Sequence, residues 1–99
     1  MNKQKVSNLL GLAQRAGKII SGEEMVVKAI QDQKVKLVFL AHDASPNLTK
    51  KIRDKSHYYQ VEVITVFSTL ELSIAVGKSR KVLAVTDAGF TKKMRSLME

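Results

Sequence analysis

Two short stretches carry residue types that can do chemistry together. The first is Ser21-Gly22-Glu23-Glu24-Met25-Val26-Val27-Lys28, which reads as a helix start preceded by glycine. A start of this kind exposes free backbone N–H groups and lets another backbone approach closely. Ser21-x-x-Glu24 also has capping-box spacing, and Lys28 stands one turn beyond Glu24 as its solvated partner or as a cation for phosphate. The second stretch, Gly77-Lys78-Ser79-Arg80-Lys81, places three bases between a helix and an apolar strand, more than solvation requires.

Other combinations are poorer in chemistry. His42 and Asp43 suggest an acid–base pair, but adjacent side chains usually point apart, and Asp43 reads as stabilising the turn before Pro46. Asp54 and His57 are three apart on a helix, a surface pair by default. With no third ligand at suitable spacing and no cysteine, neither a metal site nor a thiolate nucleophile is expected. Neither a Walker-type loop nor a G-x-G-x-x-G nor a G-x-S-x-G is present. The expectation is no enzyme activity and no cofactor.

The chain that positions these stretches has 99 residues, with 17 Lys+Arg against 9 Asp+Glu and a net charge of +8. One domain over residues 1–99 is expected. No apolar run approaches the ~20 residues of a membrane span, and the basic start leads into amphipathic sequence, so a cytoplasmic protein is expected. A charge of +8 on so small a domain attracts polyanions. It is also segregated: residues 1–20 carry +4 from Lys3, Lys5, Arg15 and Lys18, residues 68–99 carry +3, and the middle only +1. No aromatic-rich amphipathic segment favours a membrane surface, which leaves nucleic acid as the partner class.

Helices and short apolar strands alternate along the chain. Val6, Leu9, Leu10 and Ala13 make one helical face that Gly17 ends, and Lys18-Ile19-Ile20 follows as a strand. The Ser21 helix should bury Met25, Val26, Ala29 and Ile30. Val35–Ala41 reads as a central strand, Ser45-Pro46 as the cap and first turn of a helix to about Tyr58, and Val61–Phe67 as a third strand. Ser68-x-x-Glu71 opens a short helix closed by Gly77; Val82–Val85 is a fourth strand; Asp87 caps a last helix with Phe90, Met94 and Leu97 inward. The pattern implies a three-layer α/β/α sandwich around a small, roughly four-stranded mixed sheet.

In this order, the segments resemble the kink-turn-binding ribosomal-protein superfamily. The resemblance runs through Gly22 to Ile30, Leu37 to Pro46 and Leu72 to Gly77, and the tail Asp87–Arg95 is similar to the small bacterial YlxQ-type branch. It implies non-catalytic binding of a structured, G·A-containing RNA, ribosomal or otherwise, with the ribosome a candidate partner and the protein a monomer. Relatives set the N-terminus of the second helix against sheared G·A pairs and cover bulged nucleotides with the loop before the fourth strand. Gly22 and Lys28 correspond to the family's glycine and lysine, and Arg80 to a basic residue of that loop. The family's Asn-Glu pair falls on Glu24-Met25, leaving Glu23 or Glu24 to supply a base-reading carboxylate, and Ser73 and Ser45 stand where a glycine and an acid are common. The expected RNA-binding set is therefore Arg15, Lys18, Gly22, Glu23, Glu24, Lys28, Lys78, Ser79, Arg80 and Lys81, the basic members surrounding the helix end. The alternative is a protein-interaction or regulatory module of the same fold that has lost specific RNA binding.

Overall fold

A computed structural model describes residues 1–99. The strands are β1 (Ile19–Ser21), β2 (Leu37–Leu40), β3 (Glu62–Ile64) and β4 (Val82–Val85). The helices are α1 (Lys3–Arg15), α2 (Glu23–Gln31), α3 (Pro46–Tyr58), α4 (Thr69–Val76) and α5 (Ala88–Met98). Every residue of β2 and β4 is buried, as continuous apolar runs covered on both faces should be. Their side chains alternate between two cores. Leu37, Phe39, Leu83 and Val85 pack with Val6, Leu10 and Ala13 of α1, Leu72 and Val76 of α4 and Met94 of α5. Val38, Leu40, Val82 and Ala84 pack with Val26, Ala29 and Ile30 of α2 and Leu48 and Ile52 of α3. The fold is the expected three-layer α/β/α sandwich.

The strand order is β1-β4-β2-β3, with β2 and β3 parallel and β4 antiparallel to both its neighbours. Because β4 runs against the other three, the sheet has two chemically distinct ends. At the upper end, Ser21 at the close of β1 and Leu40 at the close of β2 meet the start of β4. At the lower end, the residues entering β1 and β2 meet Val85 and Thr86.

Four helices start with a side-chain cap: Asn2 accepts from the Lys5 N–H, Ser45 from Leu48, Ser68 from Glu71 and Asp87 from Phe90. Ser68 and Glu71 complete the expected capping box. Three readings need correction. Asp43 does not serve the Pro46 turn; its Oδ1 accepts from both the N–H and the hydroxyl of Thr69, at 2.9 and 2.7 Å, and so fastens the start of α4. Asp54 pairs with Lys50, one turn earlier, at 2.7 Å rather than with His57. The third strand covers only Glu62–Ile64, because this edge strand pairs only with Leu37–Phe39; the chain then leaves the ladder and Phe67 O accepts from the His42 N–H.

The Lys3 ammonium and the Ser68 N–H pull the Glu71 carboxyl below its ordinary range, and Thr69 does the same for Asp43. A carboxyl depressed on folding stabilises above its unfolded pKa of about 4, and that contribution is lost as pH falls through the folded value. The melting temperature should therefore hold down to about pH 5 and fall below about 4, with a shallower fall in an Asp43→Asn/Glu71→Gln double variant. In the core, Phe39 is fully buried with its ring centroid 5.9 Å from that of Phe67. Phe39→Ala should cost about 3–5 kcal/mol, read from the urea midpoint at unchanged slope.

Candidate nucleic-acid interface

The helix with no side-chain cap is α2. Its N-cap is Gly22, at φ 95° and ψ 150°, a conformation close to glycine-only. That geometry turns the chain from strand to helix within one residue: the Gly22 N–H still donates to Val82 O at 3.1 Å, while its C=O already accepts from the Val26 N–H. The N–H groups of Glu23, Glu24 and Met25 have no acceptor within the chain. Ser21 is therefore not the capping residue that its spacing with Glu24 implies. It ends β1 opposite Leu83, and its hydroxyl is used elsewhere.

That hydroxyl accepts a 2.9 Å hydrogen bond from Arg80 Nε. Fifty-nine residues apart in sequence, the two stretches meet at the upper end of the sheet. The Arg80 main chain is held as firmly: its N–H donates to Ser73 Oγ at 3.0 Å, and Ser73 Oγ donates to the Arg80 carbonyl at 3.3 Å. Arg80 Nη1 also donates to Ser79 O. A guanidinium has five N–H donors, so three remain while the group is fixed in place. Gly77, at φ 78°, ends α4 in the left-handed conformation and starts this loop. Lys78 and Lys81 are exposed and make no ion pair.

The two acids of the first turn of α2 have different surroundings. Glu23 Oε2 meets Lys51 Nζ of α3 at 2.6 Å, and the hydrogen bond raises the Lys51 pKa. Glu24 makes no ion pair and stands beside the free N–H groups. Lys28 pairs loosely with Asp32 at 3.4 Å, not with Glu24, and its side chain is 71% exposed. A contact so exposed restrains the ammonium little. Met25 is 58% exposed rather than buried, because Val26, Ala29 and Ile30 define the packed face of this helix.

One expected member lies elsewhere. The Lys18 carbonyl accepts from the Thr86 N–H, which puts Lys18 at the lower end, about 13 Å along an extended strand from Gly22. It does not surround the helix end. Arg15 stays closer: a Cβ on Gly11 would meet its Nη1 at 3.7 Å and the Ala75 carbonyl, in the last turn of α4 ahead of the basic loop, at 3.1 Å. Of the residues that organise the upper end, Lys51 escaped the sequence reading, and Ser21 and Ser73 were read only as a cap and a departure from glycine, since only the fold pairs them with Glu23 and Arg80. The exposed Leu70 and Ile74 on α4, beside Lys78 and Ser79, were equally silent. Their i, i+4 spacing on a short helix was the available signal.

Residues 4–95 match the profile of the Ribosomal protein L7Ae/L30e/S12e/Gadd45 family. The chain is 50% identical over 98 residues to the RNA-binding protein YlxQ of Enterococcus faecium, covering 99% of this chain and 95% of that one. It is 49% identical over 92 residues to the RNA-binding protein YlxQ of Bacillus subtilis (strain 168), covering 92% of each. A solved Bacillus halodurans protein of unknown function superposes with a TM-score of 0.90 at 45% identity, over 95% of this chain and 96% of that one. The Giardia lamblia 15.5kD RNA binding protein superposes at 0.84 with 17% identity, over 96% and 82%, and so shares the fold.

Gly22 has open space where a Cβ would be built, so a substitution there tests backbone strain alone. Gly22→Ala should lower stability by about 1–3 kcal/mol in chemical denaturation, although it touches nothing.

Proposed function

Because the chain belongs to the Ribosomal protein L7Ae/L30e/S12e/Gadd45 family, we propose that it is a non-catalytic RNA-binding protein, a single domain over residues 1–99 that recognises a structured RNA through the upper end of its sheet. The observation that carries this reading is the meeting of the uncapped α2 start with the basic loop, fastened by the Arg80–Ser21 hydrogen bond. Three unpaired N–H donors and the Glu24 carboxylate belong to the same first turn and offer a donor–acceptor set. Phosphate would be repelled by that carboxylate, whereas guanine presents N–H donors to it and O6 and N7 acceptors to the amides and to Lys28. Such edges are accessible in distorted, non-Watson–Crick RNA rather than in a regular A-form groove. Glu23, held by Lys51, is structural, and Glu24 is the base-reading carboxylate. Arg80, Lys78 and Lys81 hold phosphates around it, and Ser79 shapes their loop. A kink-turn-like element with G·A pairs fits this arrangement, and the names of the YlxQ relatives support RNA as the ligand. The protein acts as a monomer in the cytoplasm, on ribosomal or other structured RNA.

The test is titration against a kink-turn RNA and the same RNA with its G·A pairs converted to Watson–Crick pairs. The kink-turn should bind more tightly; equal affinity overturns the specific reading. Glu24→Ala should remove about 1–3 kcal/mol of the discrimination, whereas Arg80→Glu should weaken both complexes. With about four or five phosphates neutralised, log K should fall against log salt with a slope of order −3 to −4. The exposed Leu70 and Ile74 favour a second reading, in which α4 docks a protein partner. Partner binding would then survive charge reversal at Lys28 and Arg80.

A further inference from the structure

The lower end of the sheet carries a second cationic cleft, which the reading above does not use. Gln33, Lys34 and Lys36 ahead of β2, Thr86 ahead of α5, and Lys92 and Arg95 on α5 line a volume of about 570 Å³. Arg95 fixes its frame: Nε donates to Glu62 Oε1 at 2.9 Å and Nη2 to the Lys36 carbonyl at 3.2 Å, joining α5 to the starts of β2 and β3. Glu62 neutralises that arginine, so Lys34, Lys36 and Lys92 are the cations left, and none makes an ion pair. Lys18 adds a fourth nearby, its carbonyl accepting both the N–H and the hydroxyl of Thr86. Of the two acids in the lining, Asp87 is committed to the Phe90 N–H. Glu99 is the other.

The chemistry of the lining selects the ligand. Ala88 is its one apolar residue, so there is no wall against which a base or a small nucleotide would stack. Lysines distributed over two elements of an open cleft suit successive phosphates, a contact that positions without reading sequence. We infer that the lower end is a second, sequence-independent site for an RNA backbone, so that one molecule holds two RNA segments at opposite ends of its sheet. The inference goes beyond the upper-end reading and does not need kink-turn specificity to hold.

Two probes separate the ends: a minimal kink-turn hairpin, and a plain RNA duplex longer than the molecule's 28 Å extent. Lys34→Gln/Lys36→Gln/Lys92→Gln should weaken duplex binding about tenfold at low salt and flatten its log–log salt slope by about two, leaving hairpin affinity unchanged. Lys78→Gln/Arg80→Gln should weaken hairpin binding more than duplex binding. The arginine version of the lower triple variant should retain duplex binding, and thermal melts of all variants should match the parent. With both probes labelled, the parent should form a ternary complex that the lower triple variant loses. Duplex binding by the lower triple variant equal to the parent's, or a parent that never holds both RNAs at once, overturns the inference. Failure of the hairpin alone to bind overturns the upper-end reading and leaves the duplex result to decide this one.

Discussion

Everything at the candidate site depends on β4 being inserted antiparallel between β1 and β2. The register Ser21↔Leu83, extended by the bond from the Gly22 N–H to Val82 O, sets the start of α2 beside the residues that enter β4. A parallel β4 would put its entry, and with it Arg80, at the lower end of the sheet. Burial enforces the register: all four residues of β4 are inside, alternating between the two cores, and a one-residue slip would exchange their faces. The apolar packing of the sheet thereby determines where the cations stand.

Charge distribution follows from the same topology. Loops entering β4 and β2 emerge at opposite ends, so Lys78 and Lys81 are separated from Lys34 and Lys36 by the length of the sheet. In the linear sequence the excess charge flanks a near-neutral middle. In space, Lys34 and Lys36, which belong to that middle, share a cleft with Lys92 of the basic tail. Lys18, from the basic start, joins the same end through Thr86. Position along the chain therefore misplaces Lys18, which stands at the end of the sheet opposite Gly22.

Local patterns were legible and tertiary ones were not. The capping box at Ser68, the Ser45-Pro46 start and the Asp87 cap are encoded within four residues, and each forms as read. Ser21-x-x-Glu24 has the same local signature and fails, because strand pairing with β4 ends at Ser21 and leaves Gly22 to turn the chain. Asp43 likewise satisfies α4, an element that begins twenty-six residues later, rather than its own turn. Met25 sits one position off the face that Val26 and Ile30 define, a phase that periodicity does not resolve on a nine-residue helix. The two candidate stretches are legible in sequence, but the bond that joins them, from Arg80 to Ser21, connects residues too distant for any spacing rule.

The two bonded arginines show how one protein can assign different tasks to the same side chain. Arg95 spans three elements and spends its charge on Glu62, so it organises the lower end without contributing to its field. Arg80 is anchored only through neutral oxygens, those of Ser21 and Ser79. It keeps its full charge and three donors while losing its freedom to move. A fixed guanidinium meets a phosphate with less ordering cost than a mobile lysine, which favours affinity and orientation together. Ser73 is what makes this possible on the main-chain side, since a glycine there could not grip both the N–H and the carbonyl of Arg80. The departure from the common glycine thus creates a stiffer upper loop, whereas the lysines around it, without ion-pair partners in the folded chain, keep their freedom.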